Sequence, residues 1–364
     1  MSLLIIIWQS GLDGAARFFK NKTGALYMEV ILQIIRQQPN STPVVQSYNL
    51  QVDPGNTILD CLNRIKWEQD GTLAFRKNCR NTICGSCAMV INGRSALACK
   101  ENVGSELARL TNISASVYPV DHHTINSITV APLGNMPVIK DLVVDMTSFW
   151  DNLEAVTPYI STAARQIPER EFLQTPQERS LLDQTGNCIM CGACYSECNA
   201  RQVNPDFVGP HALAKAYRMV ADSRDDNQEN RLEEYNHTTQ GVWGCTRCFY
   251  CDSVCPMGVE PLAQINKIKQ KILERKQANE SRSIRHRKVL VDLVKQGGWI
   301  DERQFGVQVV GNYFRDLKGL LSLAPLGLRM LVRGKFPLSF EPSAGTQEVR
   351  SLIESIQKEE SKSH

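Results

Sequence analysis

Twelve cysteines, in the runs Cys79-x4-Cys84-x2-Cys87-x11-Cys99, Cys188-x2-Cys191-x2-Cys194-x3-Cys198 and Cys245-x2-Cys248-x2-Cys251-x3-Cys255, limit what this chain can fold into more than any other feature. Cysteines two or three residues apart are poor disulfide partners. They are natural metal ligands, because a short loop converges several thiolates on one point. A secreted disulfide scaffold is short and spreads its cysteines through the chain. Here the chain has 364 residues, and the 109 that follow Cys255 contain no cysteine. This usage implies a reducing compartment, with the cytoplasm as the default.

The first run has the plant-type [2Fe–2S] spacing. Its loop contains Gly85 and Ser86, which lets backbone N–H groups turn toward the sulfurs and stabilise the reduced, more negative cluster. Between Ala88–Ile91 and Arg94–Ala98 lies Asn92-Gly93, the favoured type I′ hairpin turn, so the chain folds back and returns Cys99 beside Cys87. A four-cysteine zinc site competes for this run, although structural zinc motifs come as two short cysteine pairs. The other two runs repeat one motif 57 residues apart. That is the two-cluster ferredoxin arrangement, in which the fourth cysteine of each run ligates the other cluster. One cubane is therefore expected on Cys188, Cys191, Cys194 and Cys255, and the other on Cys245, Cys248, Cys251 and Cys198. Cys61, the thirteenth cysteine, lies on the apolar side of a helix and reads as a small buried residue. His122 and His123 read as ordinary loop histidines.

Val30–Ile35 and Val44–Val52 read as strands, the second by its clean alternation, and Asp53-Pro54-Gly55-Asn56 is a turn. Thr57 opens a helix with Asp60 as capping partner and Ile58, Leu62 and Ile65 as its apolar face. After about residue 135 the pattern turns helical, with amphipathic helices expected at Asp141–Leu153, Pro210–Val220 and Pro261–Lys276. Asp222–Glu234 reads as a solvated segment and Lys358–His364 as disordered. The expected class is α+β. Residues 1–27 form an N-terminal extension, 28–134 a β-grasp plant-type ferredoxin domain, 135–280 an all-α two-cluster domain, and 281–364 a helical C-terminal extension. Apolar residues make up 42% of the chain, enough for a core, and a net charge of +3 gives no dense basic face for nucleic acid. The opening Leu3–Trp8 run has no basic residue ahead of it and no small-residue cleavage site behind it, unlike a signal peptide. No stretch reaches the roughly 20 apolar residues that span a bilayer, so membrane contact is expected to be peripheral.

A [2Fe–2S] region joined to a helical two-cluster region resembles the iron–sulfur subunit of succinate dehydrogenases and fumarate reductases, from about Met28 to Lys276. The residues that carry the resemblance include Cys79-Arg80, Cys84-Gly85-Ser86-Cys87, Asn135-Met136 and Val138-Ile139-Lys140-Asp141-Leu142. Gly209-Pro210, Ala216-Tyr217-Arg218 and Ala221-Asp222-Ser223-Arg224-Asp225 continue it. The resemblance implies a wire with no substrate chemistry on this chain. A separate flavoprotein with covalently bound FAD oxidises succinate to fumarate in the tricarboxylic acid cycle. Electrons then run through three centres toward a quinone of the respiratory chain. It further implies a membrane-anchor subunit and a peripheral place on the cytoplasmic side of a membrane. Fumarate reductase uses the same parts in reverse. A carrier for a heterodisulfide-reductase-like flavoenzyme is the reading outside this family.

The chain departs from that family's pattern in its third run and beyond. Cys248 stands where ordinary members have a non-cysteine residue and a [3Fe–4S] centre. Its spacing favours a complete [4Fe–4S] centre over a spectator thiol beside three irons. Asn199-Ala200-Arg201-Gln202-Val203-Asn204-Pro205 lacks the tryptophan that helps bind quinone in ordinary members, and Thr246 replaces a histidine. Leu317–Leu338 is apolar, interspersed with Lys318, Arg329, Arg333 and Lys335 and divided by Pro325 and Gly327. It is similar to the tail of variant succinate dehydrogenases whose anchor resembles heterodisulfide reductase subunits. It reads as a docking surface for that anchor or for lipid headgroups, or as a segment packed on its own domain.

Overall fold

Alternation along the first long strand dictates where the core forms. In a computed structural model that describes residues 18–20, 26–117, 126–168, 170–237, 239–275, 282–336 and 339–362, β1 spans Phe18–Lys20 and β2 spans Leu26–Arg36. Met28, Val30, Leu32 and Ile34 of β2 point to one side and are buried. β3 (Val44–Val52) pairs antiparallel with β2 along its whole length, and its own Tyr48, Leu50 and Val52 join the same face. α1 (Ile58–Glu68) lays Ile58, Leu59, Leu62 and Ile65 in the same core. Burying each such side chain contributes roughly 1.5–3 kcal/mol. Thr57 and Asp60 form the expected capping box at its start. His122 and His123 lie outside the described residues.

The Asn92-Gly93 hairpin joins β4 (Ala88–Ile91) to β5 (Arg94–Leu97), with positive φ at both turn residues (48° and 75°) as a type I′ turn requires. α2 (Val103–Val117) leads to β6 (Ser127–Ala131), which runs parallel to β2 and antiparallel to β4. β6 thus closes the centre of a mixed sheet, with β2–β3 on one side and β4–β5 on the other. The sheet reaches upstream of Met28, because β1 pairs antiparallel with the first residues of β2.

The stretch expected as a helix from Asp141 instead begins as a hairpin, β7 (Val138–Lys140) with β8 (Val143–Val144), and only Thr147–Glu154 is helical (α3). A buried charge explains the difference. Arg36 forks onto Asp141 through Nε and Nη2 at 3.0 and 2.9 Å, and Asp141 also accepts from the Ala74 amide. Satisfying that carboxylate holds Asp141 at φ 51°, a conformation no helix contains. The same Arg36 meets Asp70 at 2.5 Å, so one side chain ties β2, the turn after α1 and the β7–β8 hairpin together.

α4 (Pro176–Gly186), α5 (Ala193–Ser196), α6 (Asn199–Val203) and α7 (Pro210–Ala221) follow. α7 starts on the expected proline and is almost wholly buried. The acidic stretch after it is not a solvated segment. Asp222 and Asp225 are buried, and α8 (Gln228–Tyr235) sends Arg231 inward to grip Asp225 with two bonds of 3.0 Å. The remaining guanidinium protons go to the carbonyls of Thr157 and Tyr159. A charge run looks solvated only until its partner folds back onto it, and here the partner is six residues away. α9 (Tyr250–Ser253) and α10 (Pro261–Glu274) complete this part.

The chain divides into two compact units, Met1–Gln270 and Lys271–His364. The second contains α11 (Arg282–Gly297), α12 (Glu302–Phe305), α13 (Leu317–Ser322), α14 (Ala324–Val332) and α15 (Thr346–Lys362). Leu323 separates α13 from α14, Pro325 sits in the first turn of α14, and Gly327 lies within it. Lys358–Lys362 is helical rather than disordered. Val349, Leu352, Ile353 and Ile356 form a stripe at helical spacing, and Lys295 on α11 pairs with Glu354 at 3.1 Å.

Candidate metal centres

The loop from Cys79 to Cys87 reverses its backbone repeatedly, with positive φ at Arg80, Thr82 and Gly85. These reversals turn N–H groups toward sulfur, as the spacing predicts. The amides of Asn81 and Cys84 each donate to Cys79 Sγ at 3.3 Å, and Ser86 Oγ lies 3.1 Å from Cys84 Sγ. The hairpin delivers Cys99 to the same place: Thr82 Oγ1 is 3.9 Å from its sulfur, which neighbours the Cys87 thiol. Burial pushes the Cys84 thiol up, but hydrogen bonds from Ser86 and Cys79 outweigh this and bring it down to about 6. Cys87, more deeply enclosed, is pushed up to about 12 by burial.

The second and third runs exchange their last cysteines. Cys188, Cys191, Cys194 and Cys255 line one pocket, walled by Phe149, Met190, Ala214 and Val259. Cys198 stands at the N-cap of α6, with Cys245, Cys248 and Cys251 as its neighbours. The two groups are neighbours, since Cys194 feels Cys251 as well as its own set. Burial raises the Cys191 and Cys198 thiols to about 11 and drives Cys194 and Cys251 well upward. Thiols this reluctant to ionise alone give up their protons to a sulfur-binding metal, so loading these sites releases protons. An all-sulfur donor set in apolar walls, with amides aimed at sulfur, fits iron–sulfur clusters. Among the described residues, no group of three or more Cys, His, Asp or Glu side chains is placed to hold a single metal ion. Cys61 is buried on α1, and burial raises its thiol to about 12.

Sequence reasoning missed how the first set meets the second. At Gly85, a Cβ would stand 2.9 Å from both Cα and Cβ of Cys191 and 3.0 Å from the Ile189 carbonyl. Only glycine lets these two ligand loops touch, and the Cys-Gly-Ser-Cys run was the signal. Asn135, quoted only as a resemblance marker, proves to be a clamp. Its side-chain amide donates to the carbonyls of Tyr195, Ser196 and Cys198 at 2.9–3.1 Å, tying the end of α5 to the start of α6. Ser95 at the start of β5 adds bonds to Glu197 and Ser196. His211 was also missed. It stacks on Phe149 at 3.9 Å between centroids, bonds the Phe149 carbonyl through Nε2, and is held neutral by burial, which lowers its pKa to about 3.

Comparison with known proteins places this geometry. Residues 31–151 match the family of the 2Fe-2S iron-sulfur cluster binding domain, and residues 184–259 match the 4Fe-4S dicluster domain. The chain is 36% identical over 238 residues to a mitochondrial succinate dehydrogenase [ubiquinone] iron-sulfur subunit of Arabidopsis thaliana, covering 65% of this chain and 72% of that protein. It is also 36% identical over 236 residues to the fumarate reductase iron-sulfur subunit of Escherichia coli O6:H1, covering 64% of this chain and 89% of that one. In fold it is similar to a chain of the Mycobacterium smegmatis Sdh1 complex in the apo form, with a TM-score of 0.55 at 23% identity, over 70% of this chain and 99% of that chain.

Proposed function

The chain belongs to the family of succinate dehydrogenase and fumarate reductase iron–sulfur subunits, and from that premise we propose the assignment of each centre. The protein is the electron-transfer subunit of a succinate dehydrogenase, and its redox chemistry is that of its clusters: one-electron steps from an FAD flavoprotein subunit toward quinone. The observation that carries the assignment is the exchange of Cys198 and Cys255 between the two later runs, joined to the close approach of Gly85 and Cys191.

Cys79, Cys84, Cys87 and Cys99 hold a [2Fe–2S] cluster. Cys188, Cys191, Cys194 and Cys255 hold a [4Fe–4S] cluster. Cys245, Cys248, Cys251 and Cys198 hold a third centre, of the four-iron type because Cys248 completes the run. Around them the chain acts as holder and insulator. The Cys79–Cys87 loop supplies amides to sulfur, Phe149 and Val259 wall the second set, and Asn135 fixes the turn that carries Cys194 toward Cys198. The parallel pairing of β6 with β2, with α1 packed in the same core, supports the β-grasp reading of the first domain. The domains follow as 28–134, 135–280 and 281–364, with 1–27 upstream. The partners are the flavoprotein and a membrane anchor of the heterodisulfide-reductase-like kind, at the cytoplasmic face. Among the described residues no helix is long and apolar enough to cross a membrane.

Electron paramagnetic resonance on oxidised and reduced samples tests this reading. Three distinct reduced centres, with no three-iron signal on oxidation, are the expected result. A strong oxidised three-iron signal removes Cys248 from the ligand set. A colourless, diamagnetic protein rejects the clusters altogether. Co-purification of an FAD-linked, succinate-oxidising partner separates this reading from an unattached carrier.

A further inference from the structure

The unit Lys271–His364 exposes an apolar surface set among cations. Leu323 at the N-cap of α14, and Gly327 and Met330 within it, are half-buried and mark its packed side. By the helical period Leu328, Leu331 and Val332 then share one flank, exposed by 64%, 56% and 81%, while Arg329 and Arg333 line the flank beside it. On α13, Leu317 and Leu321 lie four apart and are 66% and 70% exposed. Just before α13, Asn312, Tyr313 and Phe314 take positive φ in succession (46°, 54°, 69°), a left-handed turn that leaves both rings in the open. L-residues enter this conformation at a cost, and such strain gathers at surfaces that do something.

Charge decides what covers this surface. Residues 313–336 include Arg315, Lys318, Arg329, Arg333 and Lys335 against a single acid, Asp316. The Asp316 carboxylate is engaged in capping α13, where it accepts from the Gly319 amide at 2.8 Å. A protein groove selects one apolar stripe from a helix. Here the open apolar flank runs beside a cationic one, so apolar side chains enter the acyl boundary while guanidinium groups stay among phosphates. We propose that Tyr313–Phe336 lies in the plane of an anionic membrane surface and binds its phosphate headgroups directly. The proposal rests on the peripheral-membrane reading above and gives it a lipid-binding element on this chain.

Flotation of the cluster-loaded full chain with phosphatidylcholine vesicles, with and without phosphatidylglycerol, tests it. The expected result is binding to the phosphatidylglycerol vesicles, weakened by high salt. Arg329→Gln with Arg333→Gln lowers partitioning on the order of tenfold. Leu328→Ser with Leu331→Ser does so by a similar factor. All four side chains are exposed, so circular dichroism of the variants stays that of the parent. A folded chain that does not float with phosphatidylglycerol vesicles overturns the proposal, as do variants that float equally well. Attachment that appears only when an anchor subunit is added also overturns it, in favour of a protein groove. Cluster absorbance in the same tube keeps the two readings apart. Loss of absorbance with retained flotation contradicts only the electron-transfer reading, and retained absorbance without flotation contradicts only this one.

Discussion

In the run Cys188–Cys198 Met190 and Gly192 take positive φ (54° and 84°), and in the run Cys245–Cys255 Arg247 and Phe249 do so at the same two positions (58° and 66°). The backbone is thus repeated, with Gly192 and Phe249 each serving as N-cap of a four-residue helix. The surroundings are opposite. A Cβ on Gly192 would stand 3.2 Å from Met136 and 3.4 Å from Leu133, inside the core. Phe249 and its neighbour Tyr250 are 65% and 52% exposed, and Cys248 is exposed as well. Ligand geometry therefore dictates the backbone in both copies, and packing alone decides which residue fills it. Where the loop is enclosed, any side chain would crowd Met136 and Leu133, and glycine fills it. Where it faces outward, a phenylalanine is tolerated in a strained conformation.

The largest test of that contrast removes a ligand from each copy. Cys191→Ser takes away a sulfur whose backbone is packed against Gly85, and the expected outcome is loss of the enclosed cluster with most of the soluble protein. Cys248→Ser removes an exposed thiol that we propose as a ligand, and the protein is expected to fold with one iron fewer and a new oxidised three-iron signal. Iron analysis and paramagnetic resonance on both variants decide the matter, and equal damage from both would end the distinction. Treatment with a chelator under air extends it without mutation. The run holding Cys248 should lose iron first and the set of Cys188, Cys191, Cys194 and Cys255 later, followed by resonance against time.

Glycine replacement comes next in size. Gly85→Ala places a methyl 2.9 Å from backbone and side chain of Cys191 while keeping φ at 70°, and a loss of about 3–5 kcal/mol in stability is expected from strain and overpacking. Gly192→Ala meets flexible methionine and leucine ends instead, and about 2–4 kcal/mol is expected. Denaturant melts of the loaded proteins measure both, and the order Gly85 above Gly192 is the part that a purely conformational penalty fails to give.

Much of this was legible before any coordinates. Spacing alone sorted twelve cysteines into three runs, because loop length limits where a sulfur can go, and the Asn92-Gly93 turn and the Thr57 capping box are local codes read at short range. Long-range charge was not legible. Arg36 finds Asp141 across 105 residues, and that bond makes a hairpin of a stretch whose apolar pattern suits a helix. Arg231 turns an acidic run inward from only six residues away, a pairing that spacing alone does not distinguish from a solvated charge run. At the cysteine runs the sequence showed the spacing but not the approach between the loops. Nothing in the residues around Cys191 shows that Gly85 will rest against it, since close approach belongs to the packed pair and to neither loop alone.

The smallest effect is the reverse replacement in the outward copy. Phe249→Gly removes a Cβ from a residue at φ 66°, so the folded loop loses a conformational strain of about 1–2 kcal/mol. Against this, glycine gains freedom in the unfolded chain, a cost of about 0.5–1 kcal/mol. The exposed ring buries little, so its loss subtracts little more. The net expectation is a gain of at most about 1.5 kcal/mol, seen as a rise of about a degree or two in melting temperature with the cluster signals unchanged. A fall in stability would mean that the Phe249 ring packs on something this chain alone does not contain. The same variant measured with the flavoprotein and anchor subunits present would then separate a residue merely tolerated at the surface from one kept for an interface.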